Sequence, residues 1–569
     1  MLKLFKSIRA FFPLIVVAVT YLWATLVIVL YRAREEPPDT ITLRIGHWQL
    51  EASVREAINQ MAEEYRAEVN PRVRIIQDAI PEGVYPQWIG TQLMGGTAPD
   101  MLQVGLSMIP GNIWLSYYNR YFLPLGRYVE RPNPYNRGTE LEHTPLRKTY
   151  KDGMRSSYID ELQDYVSVPQ SLFGVRIFYN KTLLRKLTGL DTPPQEYRAF
   201  LATCERIRAQ KNDQGDPYIP IAGSGYHFGW WDGMMFDPLT YGAVRRADFN
   251  RDGFVGNDEC FVAFKAGLLD LHFPPYRAKF QMVREVTDEF QTGYTGLTRD
   301  EAVFLFAQQK AVFMTTGTWD ARSLQKQAEG QFEVGVMDFP LPAKDDPYYG
   351  PIVEGPNYER PGGGFSFAVT RTSKHPDVAL DFLLFMAGQK HNEELNRVIG
   401  WIPCILGTQM DPLLEAFAPH LEGVYGAFPI TLGGETTVKW GQVFSAYQVR
   451  QMSYDDMAKE YTAFYLENGM KDFLEQQRDW RRGMHQNEKF LSDIRSRALA
   501  ATGDEATSAW VKYRALTTSR QIWTELNHSR QLKLIHEGPG TGKVGPYEYS
   551  PAVLEKVRQR VLAEKKGGS

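Results

Sequence analysis

Apolar residues in the first part of the chain recur with two periods, one typical of strands and the other typical of helices. Residues 41–48 (ITLRIGHW) alternate as a strand does, and residues 54–69 carry apolar side chains at helical spacing. Residues 72–79, 85–96 and 98–105 predict a second strand, a second helix and a third strand. Strands that alternate with helices form parallel sheets with crossover helices. The pattern therefore predicts an α/β fold.

The same alternation resumes near Tyr165 and predicts a second α/β unit. Residues 193–210 show the pattern of an amphipathic helix that opens with prolines, and residues 219–225 predict a strand that ends in a glycine turn. Residues 298–327 predict a helix, a strand and a further helix. Residues 451–569 are rich in charge and predict a helical C-terminal region.

The N-terminal segment 11–31 is apolar and uncharged over about the 20 residues that a helix needs to cross a bilayer core. Basic residues precede it, so the positive-inside rule keeps residues 1–10 in the cytoplasm and sends the rest across. A cleaved signal peptide is the alternative, but the apolar stretch is longer than a usual signal core and no clear small-residue cleavage site follows. We therefore predict an uncleaved signal-anchor helix, a linker at residues 32–40 and a soluble body on the far side of the membrane.

Composition and charge restrict the classes of function. At 569 residues the chain is long enough for about three or four domains. Its formal net charge of −3, without a stripe rich in lysine and arginine, argues against nucleic acid as the main partner. The cysteines Cys204, Cys260 and Cys404 are too few and too scattered for a disulfide framework or a zinc site. No H-E-x-x-H or G-x-S-x-G motif is present, and residues 537–544 lack the residues that a phosphate-binding loop requires.

Residues 248–259 (DFNRDGFVGNDE) match the twelve-residue calcium loop of an EF-hand. That loop needs oxygen ligands at positions 1, 3, 5 and 12, a backbone carbonyl at position 7 and a glycine at the sharp turn of position 6. The predicted ligands are Asp248, Asn250, Asp252, the Phe254 carbonyl and Glu259. The alternative is an acidic surface turn. Because a single loop that faces a calcium-rich exterior stays filled, we expect a structural Ca²⁺ that stabilises the fold and carries no signal.

Eight segments of the chain together carry a resemblance to a known family. They are TLRIGHW, GTAPDMLQV, VRIFYNKTLLRKLTGLDTPP, YIPIAGSG, DEAVFLFAQQKAVFMTTGTW, VGVMDFPLP, GGGFSFAVTRTSKHPDVALDFLLFMAGQ and GWIPC. In their order and spacing, across roughly residues 41–470, they resemble the extracellular solute-binding proteins of ABC importers, in the group that includes the maltose-binding protein. The resemblance says nothing about the last hundred residues.

The resemblance implies a two-lobed periplasmic-binding-protein fold of type II. In that fold, hinge strands cross between two α/β lobes, and the ligand is held in the cleft between them. Residues 41–160 and 315–345 would form lobe one, and residues 165–310 and 350–450 would form lobe two. Closure of the cleft by hinge motion would trap the ligand.

A carbohydrate pocket needs flat aromatic rings for the sugar faces and carboxylates or amides for the hydroxyls. Such residues occur here in loops that follow strands, where α/β ligand sites form. The candidate ligand-binding residues are Trp48, Gln49, Gln170, Trp230, Trp231, Asp232, Trp319, Asp320, Gly363, Gly364 and Trp440. In the family, the positions that match Trp230, Trp231, Trp319 and Trp440 lie near the cleft. The alternative for each tryptophan is a packing role in the core, and for the glycines it is a tight turn.

The resemblance implies a substrate-binding component of an ABC importer, anchored in the inner membrane by a single span with its soluble domain on the periplasmic side. It would capture a carbohydrate, as an oligosaccharide or glycoside, and hand it to the permease subunits without catalysis. A sensory ectodomain that reports the ligand to a partner signalling protein is one alternative. A surface glycoside hydrolase, which would need a pair of acting carboxylates, is the other.

Overall fold

Thirteen strands and a larger set of helices occur in the part of the chain that the computed structural model describes, which is residues 19–25, 39–105, 114–159, 162–360, 362–519 and 526–538. The strands are β1 (Ile41–His47), β2 (Val73–Ala79), β3 (Met101–Val104), β4 (Tyr158–Ile159), β5 (Asp164–Tyr165), β6 (Ser171–Phe173), β7 (Val175–Asn180), β8 (Ile219–Ala222), β9 (Ala311–Gly317), β10 (Val334–Met337), β11 (Gly362–Gly364), β12 (Ser366–Val369) and β13 (Ile402–Pro403). The α-helices are α1 (Ala52–Glu68), α2 (Tyr85–Gly95), α3 (Trp114–Tyr121), α4 (Gly126–Val129), α5 (Lys181–Thr188), α6 (Tyr197–Arg208), α7 (Gly225–Trp231), α8 (Val244–Ala247), α9 (Asn257–Lys265), α10 (Pro274–Thr287), α11 (Arg299–Ala307), α12 (Thr318–Ala328), α13 (Pro376–Met386), α14 (Gln389–Ile399), α15 (Gly434–Gln448), α16 (Tyr454–Ala500), α17 (Gly503–Ser519) and α18 (Asn527–Glu537).

The first lobe is built on a four-stranded sheet in the order β12-β3-β1-β2. β1 runs parallel to β2 and β3, as the alternation of strands and helices predicted, and β12 runs antiparallel to β3. The inward side chains Leu43 and Ile45 of β1 are fully buried. Tyr65 of α1 packs its ring edge-to-face on Phe382 and Phe385 of α13, each at 5.3 Å. This contact joins the late helices to the early sheet.

The second lobe is built on a four-stranded sheet in the order β10-β7-β9-β8. All six residues of β7 are buried, as expected for a strand with neighbours on both sides and helices on both faces. β7 is antiparallel to β9 and β10, and β8 is parallel to β9. Phe200 of α6 contacts Phe313 of β9 at 5.0 Å between ring centroids, so this helix covers one face of the sheet.

A small sheet in the order β11-β6-β13 forms the hinge between the lobes. β6 is followed after one residue by β7 of the second lobe, and β11 is followed after one residue by β12 of the first. The chain therefore crosses between the lobes at Gly174 and at Phe365. Phe365 has a φ of 48°, which is uncommon for a bulky residue, and its ring is held against Phe367 and Trp401.

Two of the expected lobe boundaries are wrong. The segment 315–345, expected in lobe one, contains the end of β9 and all of β10, which pair within the second sheet. The segment 350–450, expected wholly in lobe two, contains β12, which pairs with β3 of the first sheet. Strand pairing decides the lobe here, and the order of the elements along the chain does not disclose which sheet a strand joins.

The C-terminal region 451–569 is helical in its described part, as predicted. It comprises α16, α17 and α18, and α16 alone is 47 residues long. The predicted membrane anchor at residues 11–31 lies mostly outside the described residues, and only 19–25 is described, as helix. Among the described residues, no helix combines the length and the apolar character that a bilayer crossing requires.

Candidate functional site

Five aromatic side chains follow one another from the second lobe into the hinge sheet. We call this set, Tyr226, Trp230, Trp319, Phe173 and Trp401, the aromatic row. Successive ring centroids are 6.1, 5.8, 5.9 and 5.0 Å apart. Tyr226 is 38% exposed, and the next three rings are half-buried. The row therefore keeps part of its ring surface accessible, whereas Trp401 is buried at its hinge end.

The local sequence explains the position of the row. β8 and β9 are parallel neighbours, so the segments that follow them, with Trp230 and Trp319, leave the same edge of the second sheet. Tyr226 and Trp230 are four residues apart and share one face of α7. A Cβ on Gly317 would lie 2.2 Å from the Trp319 ring. Only glycine at that position allows the indole to fold back over the strand end.

Arg299 and Asp320 form an ion pair at the lobe-two end of the row. Both oxygens of Asp320 accept from Arg299 Nη2, and the Thr316 hydroxyl also donates to this carboxylate. The guanidinium lies over the Tyr226 ring, 5.7 Å from its centroid. Burial disfavours the positive charge of Arg299. The attraction of the Asp320 carboxylate is larger than this effect of burial, so the pKa of Arg299 is raised. The exposed third of the Arg299 side chain is a permanent hydrogen-bond donor beside the aromatic rings.

His227 is fully buried next to Tyr226 and Arg299. Its Nδ1 lies 2.7 Å from the Ser224 hydroxyl oxygen. Burial, and then the positive charge of Arg299, lower the pKa of His227 to about 4. The imidazole is therefore neutral at physiological pH, and the charged groups beside it are the paired Arg299 and Asp320.

Trp48 and Gln49 directly follow β1, at the carboxyl end of the strand, which is where ligand sites of α/β sheets form. Trp48 is half-buried, with its ring edge-to-face on Tyr85 at 5.2 Å, and its backbone N–H donates to Gln103 Oε1 at 3.3 Å. Gln49 is half-buried. The neighbouring His47 is buried and bonded to Gln77 at 2.9 Å, and burial lowers its pKa. Trp48 and Gln49 thus remain predicted ligand contacts on the lobe-one side.

Two of the predicted tryptophans, Trp231 and Trp440, pack on other aromatic rings away from the aromatic row. Trp231 is fully buried and packs on Phe339 at 5.1 Å. It follows Trp230 on the same helix, and adjacent helical residues point about 100° apart, so only one of the two can face outward. Trp440 lies in α15, parallel to the Phe444 ring at 5.5 Å and edge-to-face with Tyr461 at 4.9 Å. Trp231 exposes no surface to a ligand, so its predicted role is wrong, whereas Trp440 is half-buried and its predicted role stays a prediction.

The predicted carboxylates are both engaged in structural ion pairs. Asp232 pairs with the buried Lys279 at 2.7 Å, and Asp237 pairs with the same ammonium. Burial opposes the charge of Lys279, but the two carboxylates outweigh it and raise its pKa. Asp320 is held by Arg299 as described above. These carboxylates position cations, and direct acceptance from a ligand hydroxyl would compete with their ion pairs.

Gln170, Gly363 and Gly364 lie in the hinge sheet and its approach. The Gln170 side chain is fully buried and donates to the Val168 carbonyl at 3.3 Å. Gly363 and Gly364 pair with β6. A Cβ on Gly363 would lie 2.5 Å from Ser156 Oγ, and one on Gly364 would lie 2.2 Å from the Phe173 ring. The glycines allow close packing in the hinge and are half-buried, and the contact of their N–H groups with a ligand stays a prediction.

Four residues of the site were missed from sequence: Phe173, Tyr226, Arg299 and Trp401. Tyr226 had a usable signal, because it lies one helical turn before Trp230. Arg299 reaches Asp320 across 21 residues of sequence, and Phe173 meets Trp401 across the hinge sheet. Tertiary contacts of that kind leave no periodic signature in the chain.

The predicted calcium loop has its backbone folded around the ligand side chains. Gly253, at position 6, has a φ of 89°, which glycine adopts readily. The Asp248 carboxylate accepts the N–H groups of Asp252 at 3.1 Å and of Gly253 at 3.0 Å. Glu259 accepts from the N–H of Asn250 at 3.0 Å and of Gly256 at 2.9 Å. The donor set suits a hard cation, with carboxylate, amide and carbonyl oxygens.

Within the described ranges, no group of three or more His, Cys, Asp or Glu side chains is arranged to hold a metal ion. The calcium ligands Asp248, Asn250, Asp252, Phe254 and Glu259 therefore stay a prediction.

A family model described as bacterial extracellular solute-binding protein matches residues 51–393, which is more than half of the chain. The chain belongs to the bacterial extracellular solute-binding proteins. It is similar to a multiple sugar-binding protein of Streptococcus mutans, with 20% identity over 67% of this chain and 79% of that protein.

Solved structures show the same fold. The apo form of RafE from Streptococcus pneumoniae superposes with a TM-score of 0.51 and 15% identity, and the match covers 76% of this chain and 99% of RafE. RafE in complex with raffinose gives a TM-score of 0.50 at 15% identity, with 75% of this chain and 99% of RafE covered. At these identities the likeness to the solved structures shows the two-lobed fold.

Proposed function

We propose that this solute-binding protein captures a carbohydrate, as an oligosaccharide or glycoside, where its two lobes meet. The observation that carries the proposal is the aromatic row, which presents accessible ring surface between the second lobe and the hinge, with the Arg299 donors beside it. Ring faces suit the C–H faces of sugars, and fixed donors suit their hydroxyls. The sugar ligands named for the similar proteins support the same class of ligand.

A carbohydrate library screened by thermal shift, followed by titration of the hits, tests this proposal. A ligand at a hundred times its Kd stabilises the folded chain by about 2.7 kcal/mol, which is readily measured as a rise in Tm. Loss of one anchoring ring costs about 2 kcal/mol or more, so we expect Trp319→Ala and Trp230→Ala each to weaken binding about thirtyfold. Phe304→Ala, an aromatic residue of the second lobe that is 60% exposed, is the matched control. Unchanged affinity in both tryptophan variants would refute the site.

In the same proposal, the chain acts without catalysis and hands its intact ligand to ABC permease subunits. Product analysis on each hit separates this function from a glycoside hydrolase, because a hydrolase would release shorter sugars. Binding of the protein to permease-containing vesicles, made stronger by the ligand, supports delivery. Ligand binding that instead drives association with a signalling protein would favour the sensory alternative.

We further propose that residues 11–31 anchor the protein in the inner membrane, with the two lobes on the periplasmic side. The support is the uncharged apolar length of the segment and the basic residues before it. In fractionated cells the protein should stay in the membrane after carbonate extraction, and a variant with Val17→Asp and Leu22→Asp should not. A protein released by carbonate would contradict the anchor.

We also propose that residues 248–259 bind a structural Ca²⁺. The support is the match to the twelve-residue loop and the positive φ of Gly253. Addition of calcium to chelator-treated protein should raise the Tm, and Glu259→Gln, which loses the position-12 carboxylate, should remove that rise. Asp300→Asn, whose side chain is 88% exposed, is the control. No calcium-dependent change in Tm would contradict the site.

A further inference from the structure

Helix α16 is the longest element in the described chain. It runs for 47 residues from Tyr454 to Ala500, which corresponds to about 70 Å. Helices of globular domains average about 11 or 12 residues, and a longer one needs packing along its length to be stable. The two ends of α16 find that packing on different lobes.

The first part of α16 is anchored in the second lobe. Tyr461 and Tyr465 are fully buried, and the Tyr465 ring lies edge-to-face with Phe261 and Phe264 of α9, each at 5.4 Å. Asp472 accepts the backbone N–H groups at the start of α15, with Thr436 N at 2.6 Å. These contacts build a core of aromatic residues around one end of the helix.

The last part of α16 and the helix α17 are anchored on the first lobe. Ile494 and Leu516 are buried in the same core cluster as Tyr118 of α3 and Phe122, the residue that follows α3. Asn119 on α3 donates to Asp493 Oδ2 at 3.3 Å and accepts from Arg497 at 3.1 Å. Lys512 of α17 forms an ion pair with Asp164 of β5.

We propose that α16 and α17 form a strap that couples the two lobes. The long helix α16 is fixed in the second lobe at its start, and its end docks on α3 of the first lobe, where α17 follows and contacts β5. A rotation of one lobe about the hinge displaces one anchor relative to the other, so the strap must undock or bend. This inference rests on the proposed function only in taking hinge motion as the way in which the ligand is trapped.

The lobe-one anchor is the end that we expect to release. The lobe-one part of the strap buries Ile494, Ala498 and Leu516 and packs the half-buried Leu491 and Tyr513 against the same cluster. The lobe-two anchor buries three aromatic rings together with two smaller apolar side chains, namely Tyr461, Tyr465, Phe473, Met457 and Ala458. Undocking of α17 from lobe one therefore disrupts less packing than removal of the start of α16 from lobe two. The strap then favours the lobe arrangement in which its lobe-one contacts are made.

Interlobe distances in the full chain test the strap without any ligand. Spin labels at Met94→Cys on lobe one and Phe304→Cys on lobe two report the distance, because both sites are more than half exposed. The native cysteines Cys204, Cys260 and Cys404 are buried and will not be labelled under native conditions. Leu516→Asp places a carboxylate in the lobe-one anchor. It should add a second distance population or at least double the width of the distribution.

Leu499→Asp is the matched control, because Leu499 is on the same strap and is 66% exposed. A distribution for Leu516→Asp identical to that of Leu499→Asp would overturn the strap. If Leu516→Asp does not fold, a second variant decides. Asn119→Cys with Asp493→Cys, joined by a short cleavable bis-maleimide, fixes the strap on lobe one.

The cross-linked chain should bind and release a carbohydrate hit at least tenfold more slowly than the same chain after cleavage of the linker. Equal rates before and after cleavage would overturn the coupling. If no carbohydrate binds, the ligand-free width of the interlobe distribution, compared before and after cleavage, replaces the rates. For this measurement the labels at positions 94 and 304 are attached through unnatural amino acids, so that the linker reacts only with the cysteines at positions 119 and 493. A narrower distribution in the linked chain supports the strap even though the proposed function has failed, and an unchanged width overturns it.

Discussion

The substitution Glu359→Gln tests the buried ion pair that ties the second sheet to the approach to the hinge. Arg176 of β7 is fully buried and bonds Glu359 at 2.8 Å and 3.0 Å in a bidentate pair. Its remaining N–H groups donate to the carbonyls of Val175, Ala416 and Ala418. Glu359 stands three residues before β11, so the pair fixes the strand that crosses between the lobes.

The size of the expected stability loss depends on the buried Arg176 charge, which Glu359→Gln leaves without its partner. Removal of one partner of a buried ion pair costs about 3–5 kcal/mol, because the other charge stays buried. Asp338 lies 3.5 Å from Arg176 and keeps part of the charge compensated, and the three carbonyls remain. We therefore expect a loss at the lower end of that range, about 3 kcal/mol in the free energy of unfolding.

Urea unfolding monitored by tryptophan fluorescence measures this loss. Asp191→Asn is the matched control, because it breaks an Arg185–Asp191 pair whose side chains are 63% and 74% exposed. Exposed pairs contribute about 0–1 kcal/mol. A loss for Glu359→Gln no larger than that of Asp191→Asn would refute the reasoning.

Three further predictions follow from the described contacts. The pKa of His227 is about 4 in the folded chain and near 6.5 in the unfolded chain, so the unfolded state binds the extra proton and stability is lost as the pH falls from 6.5 to 4. His227→Asn should flatten the dependence of the free energy of unfolding on pH in that window, by up to about 3 kcal/mol. An unchanged slope would contradict the argument that burial lowers the pKa of His227. Asn396→Ala removes the amide that donates to the carbonyls of Gln170 and Asn392, both at 2.8 Å. It should lower the free energy of unfolding by about 2 kcal/mol in urea, and a loss below about 0.5 kcal/mol would contradict a stabilising role for these hydrogen bonds. Gly317→Ala should displace the Trp319 ring and weaken carbohydrate binding in calorimetric titrations, and wild-type affinity would contradict its role in placing the indole.

Much of the architecture could be predicted from the sequence, because local patterns of apolar and polar residues determine where its strands and helices form. The alternation from Ile41 to Val104 predicted three strands and two helices, and the parallel pairing of β1 with β2 and β3 confirms it. The late lobe boundaries were misassigned because β9, β10 and β12 are placed by pairing with strands far away in sequence.

The site was only partly readable for a related reason. Trp230 and Trp319 follow strands and were named from that position. Trp231, next in the chain, turned inward because consecutive helical residues occupy different faces, and sequence alone does not say which face is buried. Trp440 packs on Phe444 of its own helix and on Tyr461 of α16, and a contact between two helices leaves no signal in the sequence of either one.

A crystal structure of the chain with its strongest carbohydrate hit tests the central claim most directly. The account predicts an intact sugar whose ring faces lie on Trp230 and Trp319 and which contacts residues of both lobes. A sugar bound away from the aromatic row, or found only as a cleaved product, would contradict it.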